Sequence, residues 1–350
     1  MELRATIPAL LSQQVATYGS ETILRKKDRG IWNAMSWSDL DGAVRAIGQG
    51  LRAAGLTHGE VVAELSDTRP ELVYADLAIM GCGAAAVALH PDTEAADLGA
   101  ILRETGAAFV IVEGEEQLDK VLDARGACPA LRRIVIIDMK GLRDFRDPGC
   151  IGLAELIAGG AGQSDWRAAT AAVAPDQTAA ILWPSRARVT HAEIMRTIEQ
   201  TGVTLGVRAG DERLAVLPMC DPTERVLGLY LALKHRIVSN YLENPETATE
   251  NLREVKPAVF GADAEAWERL HARTAAQVAN ATVVQRMLYR WAIGGGGGPL
   301  ANLVVLSAVR GQLGFGKLRV AYVGDRPVSA EIAAWATALG ITVRHINPFQ

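Results

Sequence analysis

The sequence predicts an α/β protein built from two doubly wound, mostly parallel sheets with helices on both faces. Short β-rich runs alternate with helical patterns along nearly all of the 350 residues, the order that parallel strands with crossover helices require. Several of the runs are apolar on both faces, as strands covered from both sides must be. A chain of this length with 49% hydrophobic residues can bury a large core and divide into two halves.

The expected strands, in order, are 60–65 (EVVAEL), 84–89 (AAAVAL), 108–113 (AFVIVE), 133–138 (RIVIID) and 179–183 (AAILW). The second set is 213–218 (RLAVLP), 235–240 (HRIVSN), 257–260 (PAVF), 318–323 (LRVAYV) and 341–345 (ITVRH). The longest apolar run, Leu72 to Leu89, is interrupted by Asp76 and broken by Gly81 and Gly83. It predicts a helix, a turn and a buried strand, not a membrane span. Residues 141–177 are rich in glycine and proline signals and read as a connection, placing one half at 1–175 and the other at 176–350. The glycine run Gly294 to Gly298 reads as a surface link between helices. Residues 262–293 read as one helix carrying Trp267, Leu270, Val278, Met287, Leu288 and Trp291.

Composition excludes several roles. A net charge of −4 gives no basic face for nucleic acid, and scattered aromatics, 5% of the chain, give no stacking platform. Cys82, Cys128, Cys150 and Cys220 are far apart and form no CxxC pair. They read as reduced thiols, and with no signal pattern at the N-terminus a cytoplasmic protein is expected. No HExxH, GxSxG or strand-linked GxGxxG occurs, and the six histidines are dispersed.

One stretch is informative by what it lacks. AAILWPSRARVTHAEIMR, Ala179 to Arg196, passes from an apolar strand through a turn to a helix start, the setting of a phosphate loop. Yet no glycine occurs between Gly162 and Gly202, in a chain that has 34.

The order of phrases carries more. GIWNAMSWSDLDGAVRAIGQGLRAAGLTHGEVVAELSDTRPELVYADLAIMGCGAAAVALHP (30–91) and ILRETGAAFVIVEGEEQLDKVLDARGACPALRRIVIID (101–138) resemble the N-terminal part of long-chain fatty acid–CoA ligases, AMP-forming enzymes of the adenylate-forming superfamily. LPMCDPTERVLGLYLALKHRIVSNYLENPETATENLREVKPAVF (217–260), AWERLHARTAAQV (266–278) and KLRVAYVGDRPVSAEIAAWATALGITVRHI (317–346) continue the resemblance in collinear order. It implies the large N-terminal domain of that family, and a reaction that joins carboxylate and ATP into acyl-AMP before CoA attacks.

The resemblance also implies where the chain departs. Between the AAILW strand and Thr190 the family carries a glycine-rich loop ending in Lys. Here only Pro184, Ser185, Arg186, Ala187, Arg188 and Val189 fill the gap. Ser185, Arg186 and Arg188 would be what is left of a phosphate contact, with Arg186 and Arg188 also readable as solvated turn residues. The phrase Gly324-Asp325-Arg326-Pro327 replaces the family's Gly-Gly-Ala-Pro. Asn347 stands where the Tyr-Gly-x-Thr-Glu motif would begin, and the small C-terminal domain is expected to be absent; whether residue 350 is the natural end is left open. Thr190 and Glu224 are the residual catalytic positions, Glu224-Arg225 also reading as a helix-start ion pair. Trp267 and Cys220 are the substrate-contact candidates, the helix around Trp267 reading either as the wall of an acyl tunnel or as a core helix.

The expected function is therefore an acyl-CoA synthetase-like protein with impaired or lost catalysis. It would bind a fatty acyl ligand, or partner a paralogous ligase or a second copy of itself. The alternatives are an active ligase completed by a separate C-terminal chain and a non-catalytic interaction module. No cofactor is expected; ATP and Mg²⁺ are the family's. No metal, nucleic acid or transmembrane segment is expected. Peripheral membrane attachment is possible by analogy, with no basic amphipathic stretch evident to support it.

Overall fold

A computed structural model describes residues 5–163, 165–294, 305–324 and 326–349. The chain divides into two compact units: residues 1–22, 35–198 and 218–221 form the first, and 23–34, 199–217 and 222–350 the second. Strands β1 (Thr22–Asp28) and β2 (Ile31–Ser36) therefore belong to the sheet of the second unit, although they precede most of the first.

The first unit opens with α1 (Ile7–Tyr18) and α2 (Trp37–Ala53), followed by β3 (Val61–Leu65), α3 (Pro70–Gly81), β4 (Ala85–Leu89), α4 (Ala95–Thr105) and β5 (Ala107–Val112). It continues through α5 (Glu115–Arg125), β6 (Arg133–Ile136), β7 (Cys150–Gly152), α6 (Leu153–Gly159), α7 (Trp166–Ala172), β8 (Thr178–Leu182), β9 (Ala187–Thr190) and the start of α8 (His191–Leu205), whose residues from 199 on belong to the second unit. Its sheet runs β7-β6-β5-β3-β4-β8-β9, parallel except for the antiparallel β8–β9 pair. Every residue of β3, β4 and β5 is buried, which is why β4 and β5 read as unbroken apolar runs and β3 as one broken only by Glu64. The expected helix and strand within 72–89 are α3 and β4, and Pro70 occupies the first helical turn, where its missing N–H costs nothing. Helix α2 begins with a capping box in which Ser36 and Asp39 satisfy each other's backbone N–H.

Residues 141–177 are not a plain connection. They supply β7, which pairs with β6, and α7, whose Trp166 is 8% exposed. A Cβ at Gly48 of α2 or Gly81 of α3 would come within 2.4 Å of the Trp166 ring, so the two glycines let the indole lie against both helices. Short elements with weak periodicity gave no signal, but the lone tryptophan is what anchors the segment.

The second unit adds β10 (Glu212–Ala215), a π-helical segment Thr223–Tyr230 running into α9 (Leu231–His235), β11 (Val238–Tyr241), a 3₁₀ turn Pro245–Thr247 and α10 (Ala248–Val255). Then come β12 (Val259–Gly261), α11 (Ala264–Ala279), α12 (Val283–Ile293), α13 (Ser307–Gln312), β13 (Val320–Val323), α14 (Ala330–Ala338) and β14 (Val343–His345). The sheet order is β14-β13-β12-β10-β11-β1-β2. Arg29 and Gly30, both with positive φ, turn β1 into β2, and the Glu243 carboxylate accepts from both their N–H groups at 3.0 and 3.1 Å. The core gathers Phe260, Trp267 and Phe315 in mutual ring contact.

The single helix expected over 262–293 is two. Asn280–Thr282 interrupts it, and Thr282 and Gln285 form a capping box that starts α12 afresh. Of the Gly294–Gly298 run, residues 295–298 lie outside the described residues.

Candidate functional site

The stretch that lacks glycine is a tight hairpin. Strands β8 and β9 pair antiparallel, with Leu182 opposite Ala187, so only Trp183, Pro184, Ser185 and Arg186 connect them. The Ser185 hydroxyl donates to the Leu182 carbonyl at 3.2 Å and accepts from the Ala187 N–H at 3.4 Å, tying the turn to itself. Arg186 has a φ of 61° and is 63% exposed in its side chain. Its Nε lies 2.8 Å from a Glu104 carboxylate oxygen and its guanidinium 5.3 Å from the Trp183 ring. Arg188 is exposed on β9. Both arginines are thus surface residues, and Arg186 already has a carboxylate and an indole as partners.

Thr190 caps α8. Its N–H and hydroxyl both donate to Glu193 Oε2 at 2.8 Å, and its hydroxyl accepts the Glu193 N–H at 3.2 Å. These hydrogen bonds, the backbone one first, hold the Glu193 carboxyl below its ordinary range.

A groove of about 730 Å³ opens beside the hairpin, at the carboxyl ends of β4 and β8, where doubly wound sheets take their ligands. Trp183, Pro184 and Arg186 form one wall, and His90, Asp92, Glu94, Asp97 and Glu104 line much of the rest. Cys220, half-buried and outside any disulfide, also lines it. The same end of the sheet is acidic beyond the groove. Burial, followed by the charges of Glu113 and Asp92, raises the Asp67 carboxyl above its ordinary value.

Glu224 stands in a different setting. It and Arg213 of β10 are each 1% exposed, and Arg213 Nη2 donates to both Glu224 oxygens at 2.6 and 2.5 Å. Burial alone would lower the Arg213 pKa; the Glu224 carboxylate outweighs it and the guanidinium stays charged. The ion pair expected at a helix start is therefore a buried one, reaching from the π-helical segment to a central strand. Arg225 Nε donates to the Tyr230 hydroxyl at 3.0 Å.

The remaining candidates are spread out. Gly324 follows β13, and a Cβ there would lie 1.6 Å from Thr223 Oγ1, so the absence of a side chain is what admits the threonine. Asp325 lies outside the described residues. Asn347 is exposed and accepts the Phe349 N–H at 3.2 Å, closing a local turn. Trp267 is fully buried in the aromatic core, and its indole N–H has no hydrogen-bond partner among the described residues.

Sequence reasoning missed a pocket of about 270 Å³ within the second unit. Val216, Leu217, Leu252, Phe260 and Leu270 make its apolar lining, and Arg269 and Arg273 of α11 are among its polar residues. The two arginines, one helical turn apart, were the available signal.

The model of the family described as "AMP-binding enzyme" matches residues 11–347. The putative fatty-acid–CoA ligase fadD11 of Mycobacterium tuberculosis is 29% identical over 237 residues, covering 59% of this chain and 41% of that protein. The long-chain-fatty-acid–CoA ligase ACSBG2 of Xenopus laevis is 23% identical over 97% of this chain and 50% of its own length. The chain thus spans about half the length of these relatives. Among solved structures, the adenylation domain of a carboxylate reductase from Mycobacterium chelonae superposes with a TM-score of 0.78 at 18% identity, covering 98% of this chain and 57% of that one. An anthranilate CoA ligase bound to anthranoyl-AMP superposes at 0.70, with 18% identity over 98% of this chain and 58% of that chain. The collinear phrases, the two mostly parallel sheets and the match across residues 11–347 together make this chain a member of the AMP-binding enzyme family.

Proposed function

We propose that this chain is a long-chain acyl-CoA synthetase-like protein that binds a fatty acyl ligand without adenylating it. The β8–β9 hairpin carries the reading. A polyphosphate is held by backbone N–H groups that come close to oxygen, which side chains at the loop prevent. Here the loop is four residues long, consists of Trp183, Pro184, Ser185 and Arg186, and spends its hydroxyl on its own backbone. The groove beside it presents Asp92, Glu94, Asp97 and Glu104, a sign of charge that repels a nucleotide triphosphate. ATP does not fit these residues, and among the described residues no group of three or more His, Cys, Asp or Glu is placed to hold a metal ion.

The acyl part of the reading rests on the 270 Å³ pocket, near the lower end of the ~300–1,000 Å³ typical of small-molecule sites. Its aliphatic and aromatic lining suits a hydrocarbon chain; at its polar rim, beside Glu246 and Asp263, Arg269 is already paired with Asp263 and Glu265, and Arg273 is the guanidinium left to meet a carboxylate.

Titration calorimetry with a C16 acid and with ATP, side by side, tests both parts. Heat of binding with the acid and none with ATP is expected, together with a rise in Tm that only the acid produces. The double variant Arg269→Ala/Arg273→Ala loses the acid signal. ATP–pyrophosphate exchange dependent on a long-chain acid would overturn the reading.

A further inference from the structure

Helix α12 has the wrong outside for a face meant for water. Val283, Val284, Met287, Leu288 and Trp291 are 62%, 65%, 67%, 43% and 45% exposed, although they are the large apolar residues of the helix. At 100° per residue they fall within one arc of the helix surface, so they form a continuous stripe. Ala292 is buried on another side of the helix, and Tyr289 hydroxyl accepts from Trp335 Nε1 at 3.2 Å, which fixes α12 by its other face against α14. The stripe is therefore presented outward by a helix that is held in place.

The charges that α12 itself carries, Arg286 and Arg290, are of one sign. From Arg269 to Gly324 the sequence has no acidic residue and seven basic ones: Arg269, Arg273, Arg286, Arg290, Arg310, Lys317 and Arg319. The whole chain, by contrast, carries a net charge of −4. Arg269 and Arg319 have carboxylate partners elsewhere in the unit. Arg286 and Arg290, on α12 along one border of the stripe, have none among the described residues. The sequence alone suggested no basic amphipathic stretch; α12 is one, hidden because a single long helix over 262–293 averages its stripe with the different faces of α11.

We propose that α12 is a docking surface for an anionic lipid membrane, lying in the headgroup region with its stripe inward and Arg286 and Arg290 on lipid phosphates. An interfacial helix is recognised by this combination: an apolar face with Trp, Leu and Met, and arginine beside it. The opposing leaflet surface supplies the negative potential that the arginines match within a Debye length. A second copy of the chain is the poorer occupant, because a two-fold contact through the stripe with the helices antiparallel brings the arginines of one copy against those of the other. No helix among the described residues is long and apolar enough to cross a membrane, so the contact is one of lying on the surface.

Co-sedimentation of the full chain with phosphatidylcholine vesicles, with and without phosphatidylserine, tests this. The chain is expected to pellet with the phosphatidylserine vesicles and to be released by added salt. Met287→Asp/Trp291→Asp alters only exposed positions and is expected to weaken partitioning at least about tenfold, a change of ~1.4 kcal/mol. Arg286→Glu/Arg290→Glu keeps the stripe and loses the preference for anionic vesicles. Circular dichroism on both variants separates loss of binding from loss of fold. The proposal is overturned if the chain ignores anionic vesicles at low salt, or if the stripe variant binds as well as the parent. It is equally overturned if sedimentation equilibrium shows a dimer that the stripe variant dissolves, since a second copy then covers the face.

Discussion

Replacing Glu224 with Gln separates a structural carboxylate from a catalytic one. Glu224 and Arg213 are each 1% exposed, and both carboxylate oxygens lie within 2.6 Å of Arg213 Nη2. The Coulomb attraction of two charges about 3 Å apart at an effective dielectric constant of ~20 is ~5 kcal/mol. Glutamine keeps an acceptor for the guanidinium but removes the charge, leaving Arg213 buried and uncompensated. Breaking a buried pair in this way costs ~3–5 kcal/mol, and the retained acceptor places Glu224→Gln near the lower figure. For a unit of this size each kcal/mol lowers Tm by ~2–4 °C, so a fall of roughly 6–12 °C is expected. Urea melts followed by circular dichroism give the free energy directly. The double variant Arg213→Met/Glu224→Leu, which removes both charges together, should recover most of the loss. A Glu224→Gln cost below ~1 kcal/mol would refute the reasoning, as would a double variant that is worse than the single.

Three further outcomes follow from the geometry. Gly324→Ala forces a Cβ to within 1.6 Å of Thr223 Oγ1 and should destabilise by ~1–3 kcal/mol; adding Thr223→Ala should return part of it in the same urea melt. His191 is fully buried, its Nδ1 accepts the Ile7 N–H at 3.4 Å, and burial lowers its pKa from 6.5 to about 4. The unfolded chain therefore takes up the proton first, so the stability contribution is complete above pH 6.5 and is lost as pH falls toward 4. The loss is roughly 3 kcal/mol, and His191→Gln should flatten the dependence of the urea midpoint on pH across that interval. Burial also pushes the Cys82 thiol up to about 12, so in the folded chain it should resist alkylation at neutral pH and react only on unfolding; modification at the rate of a free thiol would contradict its placement.

The sheets were legible where burial is two-sided. Strands β4 and β5 are apolar throughout, and β3 is apolar but for Glu64, because both faces are covered, and such runs announce themselves. Strands β1 and β2 were not legible: TILRKKD and IWNAMS carry polar residues that are half-buried or exposed, β2 being the edge strand of its sheet and β1 the strand next to it. The start of α12 could have been read from Thr282 and Gln285, whose spacing is a capping box, but the apolar residues on both sides hid it. At the site, the missing glycines were visible and pointed to the loop that the structure shows as a hairpin. The partner of Glu224 was not visible. Its Arg213 lies on another element, and only the packing of β10 under the π-helical segment brings the charges together.

The β8–β9 hairpin also makes this place permissive to insertion. Leu182 and Ala187 remain paired across the strands whatever joins them, and β9 is the last strand of its sheet, so added residues have solvent to occupy. A flexible loop costs only ~0.6 kcal/mol for each doubling of its length. Lengthening this turn by a glycine-rich segment should therefore leave the first unit folded, which makes it a ready graft point for asking how much of nucleotide binding a loop alone can restore.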